Sequence, residues 1–196
     1  TPEDSPRLAQ ETSEQPQVLV SEVLVRQTDG RPLDLDLQNE VYDSIRTQPG
    51  RTTTSRQLQD DVNAIYATGF FGRVEPLAEE TPLGVRIIFE VLPNPTLNRV
   101  AVQNNQVLSQ ERVDEIFGEQ YGTILNLRDF QDGVEAVNRW YQTNGYVLAQ
   151  VLDPPPLPES GPVTPPPVSP DGVVTLDVAE GVIEDIEIRF LSEDGQ

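Results

Sequence analysis

Cysteine, histidine, methionine and lysine are all absent from this chain. Without cysteine there is no disulfide framework and no thiolate nucleophile. Without histidine as well, the ordinary catalytic triad and the structural zinc site lose their base and their ligands. The missing lysine removes Ser-Lys pairs, Schiff-base chemistry and the phosphate-binding lysine of a P-loop. No run of apolar residues reaches transmembrane length and no signal peptide is visible. With Thr at position 1 and no Met anywhere, the expectation is a piece of a longer precursor. Aromatics are scarce too: six Phe, five Tyr and one Trp must anchor whatever core forms.

What is present is acid. Thirty-three Asp and Glu face thirteen basic residues, every one an Arg, for a formal charge of −20. Such a surface repels phosphate backbones and anionic lipid, which excludes nucleic acid and anionic membranes as partners. Paired carboxylates are the acid/base option left open. Asp60-Asp61, Asp114-Glu115 and Glu184-Asp185 are sequence neighbours, and neighbours on a helix point apart, so they read as solvated faces. "DGRPLDLDLQNE" (Asp29–Glu40) lacks the ligand spacing of a calcium loop, and Asp34 and Asp36 read instead as carboxylates at a helix start. No enzyme activity, metal or cofactor is expected.

The strongest organisational signal is a repeat. Residues 1–16, "TPEDSPRLAQETSEQP", are acidic and proline-broken, and are expected to be a disordered tail. "QVLVSEVLVRQ" (Gln17–Gln27) is a β-branched run closed by a "TDG" turn. "LDLQNEVYDSIRT" (Leu35–Thr47) has helical spacing at Leu37, Val41 and Ile45, and a second helix carries Leu58, Val62, Ile65 and Tyr66 to a glycine stop at Gly69. "RVEPLAEE" and "GVRIIFEVL" then predict a hairpin. After Pro93-Asn94-Pro95 the same order returns: "TLNRVAVQN", a helix capped at Ser109, a helix with Phe130, Val134, Val137 and Tyr141, then "YVLAQVL" and "GVVTLDVAEG". "VIEDIEIRFLSEDG" (Val182–Gly195) starts the order a third time. A β-α-α-β-β unit that recurs every 75 to 85 residues or so can bury its own core.

The repeated order, the "Y-x-x-G-F" and "Y-x-x-x-G-Y" junctions at Tyr66–Phe70 and Tyr141–Tyr146, and above all "IYATGFF" (Ile65–Phe71) resemble tandem polypeptide-transport-associated (POTRA) domains. These precede the membrane barrel of BamA-like outer-membrane assembly and translocation factors and their chloroplast relatives, and the proline-rich insertion points to the cyanobacterial branch. The resemblance implies an α+β fold, with tandem domains that each hold a three-stranded mixed sheet covered on one face by two helices. The expected domains are 17–94 and 95–181, with a third beginning at 182–196. It also implies a periplasmic location, a C-terminal β-barrel beyond this chain, and partners among unfolded outer-membrane proteins or precursor polypeptides and periplasmic accessory proteins.

In such a unit the second strand lies at the sheet edge, where unpaired backbone groups invite another strand. The first repeat's edge, with Val74, Glu75 and Leu77, carries Pro76 and flanking charges and reads as guarded. The second repeat's edge, Tyr146, Val147, Leu148, Ala149, Gln150, Val151 and Leu152, has no charge and no proline. It is therefore expected to be either a strand-addition site for peptides or a surface covered by its neighbours. The loop that follows, "DPPPLPESGPVTPPPVSPD", holds nine of the eighteen prolines and reads as an extended fence or a passive insertion. Pro93, Asn94 and Pro95 are expected to form a hinge, freer than the link at 180–184. Two functions fit: an arm that captures clients by β-augmentation, or a docking scaffold for folded accessory proteins.

Overall fold

The computed structural model describes residues 16–156 and 161–181. The acidic tail expected over 1–16, apart from Pro16, and the third-repeat strand expected over 182–196 lie outside the described residues. The chain divides into two compact units, Thr1–Ile65 with Arg73–Leu92, and Tyr66–Gly72 with Pro93–Gln196.

The first unit begins with β1 (Val18–Gln27). Val20 is buried, yet so are Val23 and Val25, a spacing that a regular strand cannot place on one face. A register shift between Val20 and Glu22 resolves this: one bulged residue restores the phase, and all three valines face the core. Two helices follow, α1 (Leu35–Ser44), whose N-cap Asp34 accepts from Asp36 N, and α2 (Ser55–Ala67), where Thr54 Oγ1 accepts from Gln57 N. Between them, β2 (Thr52–Thr53) adds a short fourth strand outside β1, beyond the three expected. The hairpin of β3 (Phe71–Thr81) and β4 (Gly84–Pro93) closes the sheet in the order β2-β1-β4-β3. The third long strand, β4, runs parallel to β1 and is central; β3 is the edge.

One carboxylate read as solvated is not. Asp61 is 1% exposed, and its two oxygens accept from Arg46 N (2.7 Å) and Thr47 N (3.0 Å). Those two amides leave α1 in extended backbone and have no helical carbonyl to bond. Asp61 supplies the missing acceptors from α2, which overturns the solvated reading for this residue.

The second unit holds β5 (Thr96–Leu97), β6 (Arg99–Gln103), α3 (Gln110–Phe117), a 3-10 turn at Gly118–Gln120, β7 (Thr123–Ile124), α4 (Leu127–Thr143), β8 (Gln150–Val151) and β9 (Val173–Ala179). Here β9 is central, parallel to β6 and antiparallel to β8, while β5 and β7 make a separate two-stranded ribbon. Ser109 and Asn126 cap α3 and α4 through their side chains. Phe117 and Phe130 meet at 5.3 Å between ring centroids, at a point where Gly133 leaves α4 without a side chain. The buried cluster joins Leu97, Val113, Phe130, Val134, Tyr141 and Val174, so the sheet and both helices share one core. This is the mixed α and β architecture expected from the repeat.

Candidate functional site

The two sheet edges differ in kind. β3 is eleven residues long, and from Pro76 to Glu80 its side chains are exposed. Proline inside a strand is tolerated only where its nitrogen faces away from the ladder, so the N–H groups of Ala78 and Glu80, two and four residues on, also face outward. Val74 is buried in the core, Glu75 is paired with Arg73, and Leu77 stands at the surface.

The strand expected over Tyr146–Leu152 is corrected by the structure to Gln150–Val151. The reason is local. α4 ends at Asn144 and Gly145, and Gly145 takes φ +88°, so the chain turns before it can extend. Tyr146 N bonds back to Tyr141 O, and Ala149 N closes a turn onto Tyr146 O at 3.0 Å. Tyr146 stacks on Trp140 and Ala149 is buried, while Val147 and Leu148 project into solvent at 71% and 58% exposure. Beyond the turn, Leu152 N donates to Asp177 O, so alternation turns the Val151 N–H away from β9. That outward donor is already used: it bonds Asn138 Oδ1 at 2.8 Å. An edge without charge or proline is thus shortened by a turn and capped by an asparagine from α4.

The proline-rich segment lies along the next stretch of β9. Ser169 N donates to Val173 O and Val168 bridges Val174, while Pro154–Pro156 and Pro165–Pro167 line a groove with Thr175 and Leu176. Of the expected hinge, Asn94 is 4% exposed. Its Nδ2 donates to both Gly69 O and Leu125 O at 3.0 Å, and its N–H donates to Phe70 O. The companion link at 180–184 is described only to Gly181.

Glu180 emerges as a fixed point that composition did not reveal. Its carboxylate accepts from Val107 N (3.0 Å), Leu108 N (3.2 Å), Gln106 N and Tyr141 OH (2.7 Å), tying the β6–α3 loop to the end of β9. Burial pushes its pKa up, but the Tyr141 hydroxyl and the three amides outweigh that and hold it below the ordinary 4.5. Burial, reinforced by Glu180, raises Tyr141. A depressed carboxylate stabilises the fold above its unfolded pKa, and that stabilisation is lost as pH falls through the folded value. We therefore expect Glu180→Gln to lower the urea midpoint at pH 7. The gap to the unmodified chain should narrow below pH 4.5, as followed by circular dichroism; a gap independent of pH would exclude the ionised carboxylate as its source.

Comparison with known proteins adds identity to this geometry. A family model described as POTRA domain, ShlB-type, matches residues 96–164. The N-terminal domain of Omp85 from the thermophilic cyanobacterium Thermosynechococcus elongatus is 48% identical, and the match covers 93% of this chain and 71% of that one at a TM-score of 0.78. POTRA1-2 of the periplasmic domain of Omp85 from Anabaena is 54% identical, covering 87% of this chain and 99% of the other at a TM-score of 0.68. The chloroplastic outer envelope protein 80 of Arabidopsis thaliana is 33% identical over 89% of this chain, which spans 22% of that protein's length.

Proposed function

Because this chain belongs to the POTRA domains of the Omp85 family, we propose that it is a protein-binding arm on the periplasmic side of an outer-membrane protein. In this reading it holds unfolded outer-membrane proteins or precursor polypeptides by strand addition at β3. The observation that carries the reading is the contrast between edges: β3 runs on past Pro76 with the outward N–H groups of Ala78 and Glu80, whereas β8 is two residues long and the outward donor of Val151 is taken by Asn138. Strand addition draws on backbone groups that every polypeptide has, and so suits clients that share little sequence. The charge of −20 keeps such an edge soluble and disfavours acidic clients.

Binding occurs without catalysis, and the site centres on Leu77, Ala78 and Glu80, with Glu75 at its inner end. The surface at Tyr146–Leu152 is secondary, restricted to Gln150–Val151. The working domains in this reading are 17–94 and 95–181; the compact units differ from them in placing Tyr66–Gly72 and Pro93–Asn94 with the second. Hinge motion at Pro93–Pro95 requires Asn94 to release Gly69 and Leu125. The protein's own C-terminal β-barrel and periplasmic accessory proteins complete the partners.

The test is amide chemical-shift mapping during titration with a peptide copied from a barrel strand, against a scrambled control. Shifts should cluster on Leu77–Thr81 and persist in salt. Ala78→Pro, which removes an outward donor and leaves the ladder intact, should weaken binding about tenfold. Shifts that avoid β3, or an unchanged affinity in Ala78→Pro, would instead support a scaffold for folded accessory proteins.

A further inference from the structure

The helical layer of the second unit carries a surface that strand addition does not use. A groove of about 660 Å³ between α4 and the 3-10 turn with β7, and one of about 280 Å³ between α3 and α4, share Ile116 and Ala136 and so form a single trough. Along α4, Asp129, Asp132, Gly133, Ala136, Arg139 and Trp140 recur at intervals of three and four, which places them on one face. From Asp129 to Arg139 the trough runs about 15 Å, at 1.5 Å per residue. Its middle is low, because Ala136 presents only a methyl group there. Its ends are charged and opposite: Glu119, Asp129 and Asp132 at one, Arg112 and Arg139 at the other. Among the described residues, Glu119, Asp129, Asp132 and Arg139 form no ion pair, and Arg112 pairs only with Glu115. A chain of charge −20 with thirteen arginines places two of them at one end of this trough.

We propose that the trough binds an amphipathic helix of another polypeptide, lying antiparallel to α4. Helices favour acidic residues in the first turn and basic residues in the last, because of the charge at their termini. Laid antiparallel, such a helix sets its acidic start against Arg112 and Arg139, and its basic end against Glu119, Asp129 and Asp132. The small side chain of Ala136 at the centre lets its apolar ridge approach closely, in the manner of ridges seated in grooves. Charge polarity, not shape alone, fixes the direction.

Trp140 is the only tryptophan and lines the trough, so its emission reports occupancy. The probe is a designed helical peptide of about fourteen residues, two heptads being enough to span the trough, with glutamates first, leucines on one face, lysines last and no tryptophan. Its partner probe has the same composition with the charged ends exchanged. The expected result is a saturable shift of Trp140 emission, with the exchanged peptide at least ~10-fold weaker, the scale of about 1.4 kcal/mol. The variant Asp129→Arg/Asp132→Arg/Arg139→Glu should invert that preference. If the variant does not fold, Ala136→Gln, which fills the floor, should weaken the first peptide by a similar factor. No binding, equal binding of both peptides, a preference that survives the charge exchange, or an unaffected Ala136→Gln would each overturn the proposal.

Discussion

Replacing Asp61 with alanine should cost the first unit about 2 to 4 kcal/mol, because the buried Thr47 amide and the part-buried Arg46 amide lose their acceptor at once. Arg46 N and Thr47 N follow the last turn of α1 and have the Asp61 carboxylate as their partner. Thr47 is itself buried and shares a hydroxyl contact of 3.2 Å with buried Thr53, so water has poor access to compensate. Alanine is the better helix former by less than about 1 kcal/mol, which offsets only part of the loss. Asp61→Asn keeps one acceptor and turns an N–H toward the other amide, so it should fall between. Urea unfolding at neutral pH reads these differences, and amide exchange at Arg46 and Thr47 should accelerate in step. A loss below about 1 kcal/mol for the alanine variant would mean that the connection from α1 to β2 is held by other contacts.

Gly133→Ala should also destabilise, against the usual rule for a glycine inside a helix. Alanine ordinarily adds about 1 kcal/mol of helical stability there. Here a Cβ would lie 2.7 Å from Phe117 Cζ and 2.8 Å from Cδ1, well inside van der Waals contact. The Phe117 ring is fully buried and set against Phe130, so it has no open side to move into. Overpacking of this kind costs about 1 to 3 kcal/mol, and Gly133→Leu should exceed that range. The decisive measurement is a double-mutant cycle: Phe117→Leu should cost stability alone but cost less in the Gly133→Ala background, because the smaller side chain makes room. Strict additivity would show that the glycine is not there to admit the ring.

Both effects bear on what the amino-acid pattern reveals. Helices and strand order were legible because each repeat buries one face, and that face recurs at fixed spacing: Val134, Val137 and Tyr141 on α4, Val174, Leu176 and Val178 on β9. Asp61 was legible in principle. It sits three residues after Leu58 and four before Ile65, on the apolar stripe, where a carboxylate needs a buried partner. The error at Tyr146–Leu152 has another cause: an uncharged apolar run satisfies a strand and a surface turn equally well. What separates them is the positive φ of Gly145 and the stacking of Tyr146 on Trp140, neither of which is a property of the run itself. Asn138 and Glu180 act across 13 and as many as 74 residues respectively, and only the fold brings their partners to them.

The two anchors flanking the proline-rich segment, Leu152 to Asp177 and Ser169 to Val173, fix where the chain leaves and rejoins the sheet. Between them, added length costs only about 0.6 kcal/mol for each doubling of the loop. The loop held between these two anchors is accordingly a natural graft point. A tag, a fluorophore-bearing sequence or a small folded domain placed there leaves the pairing of β9 with β6 and β8 intact, and gives the protein a handle for imaging or capture.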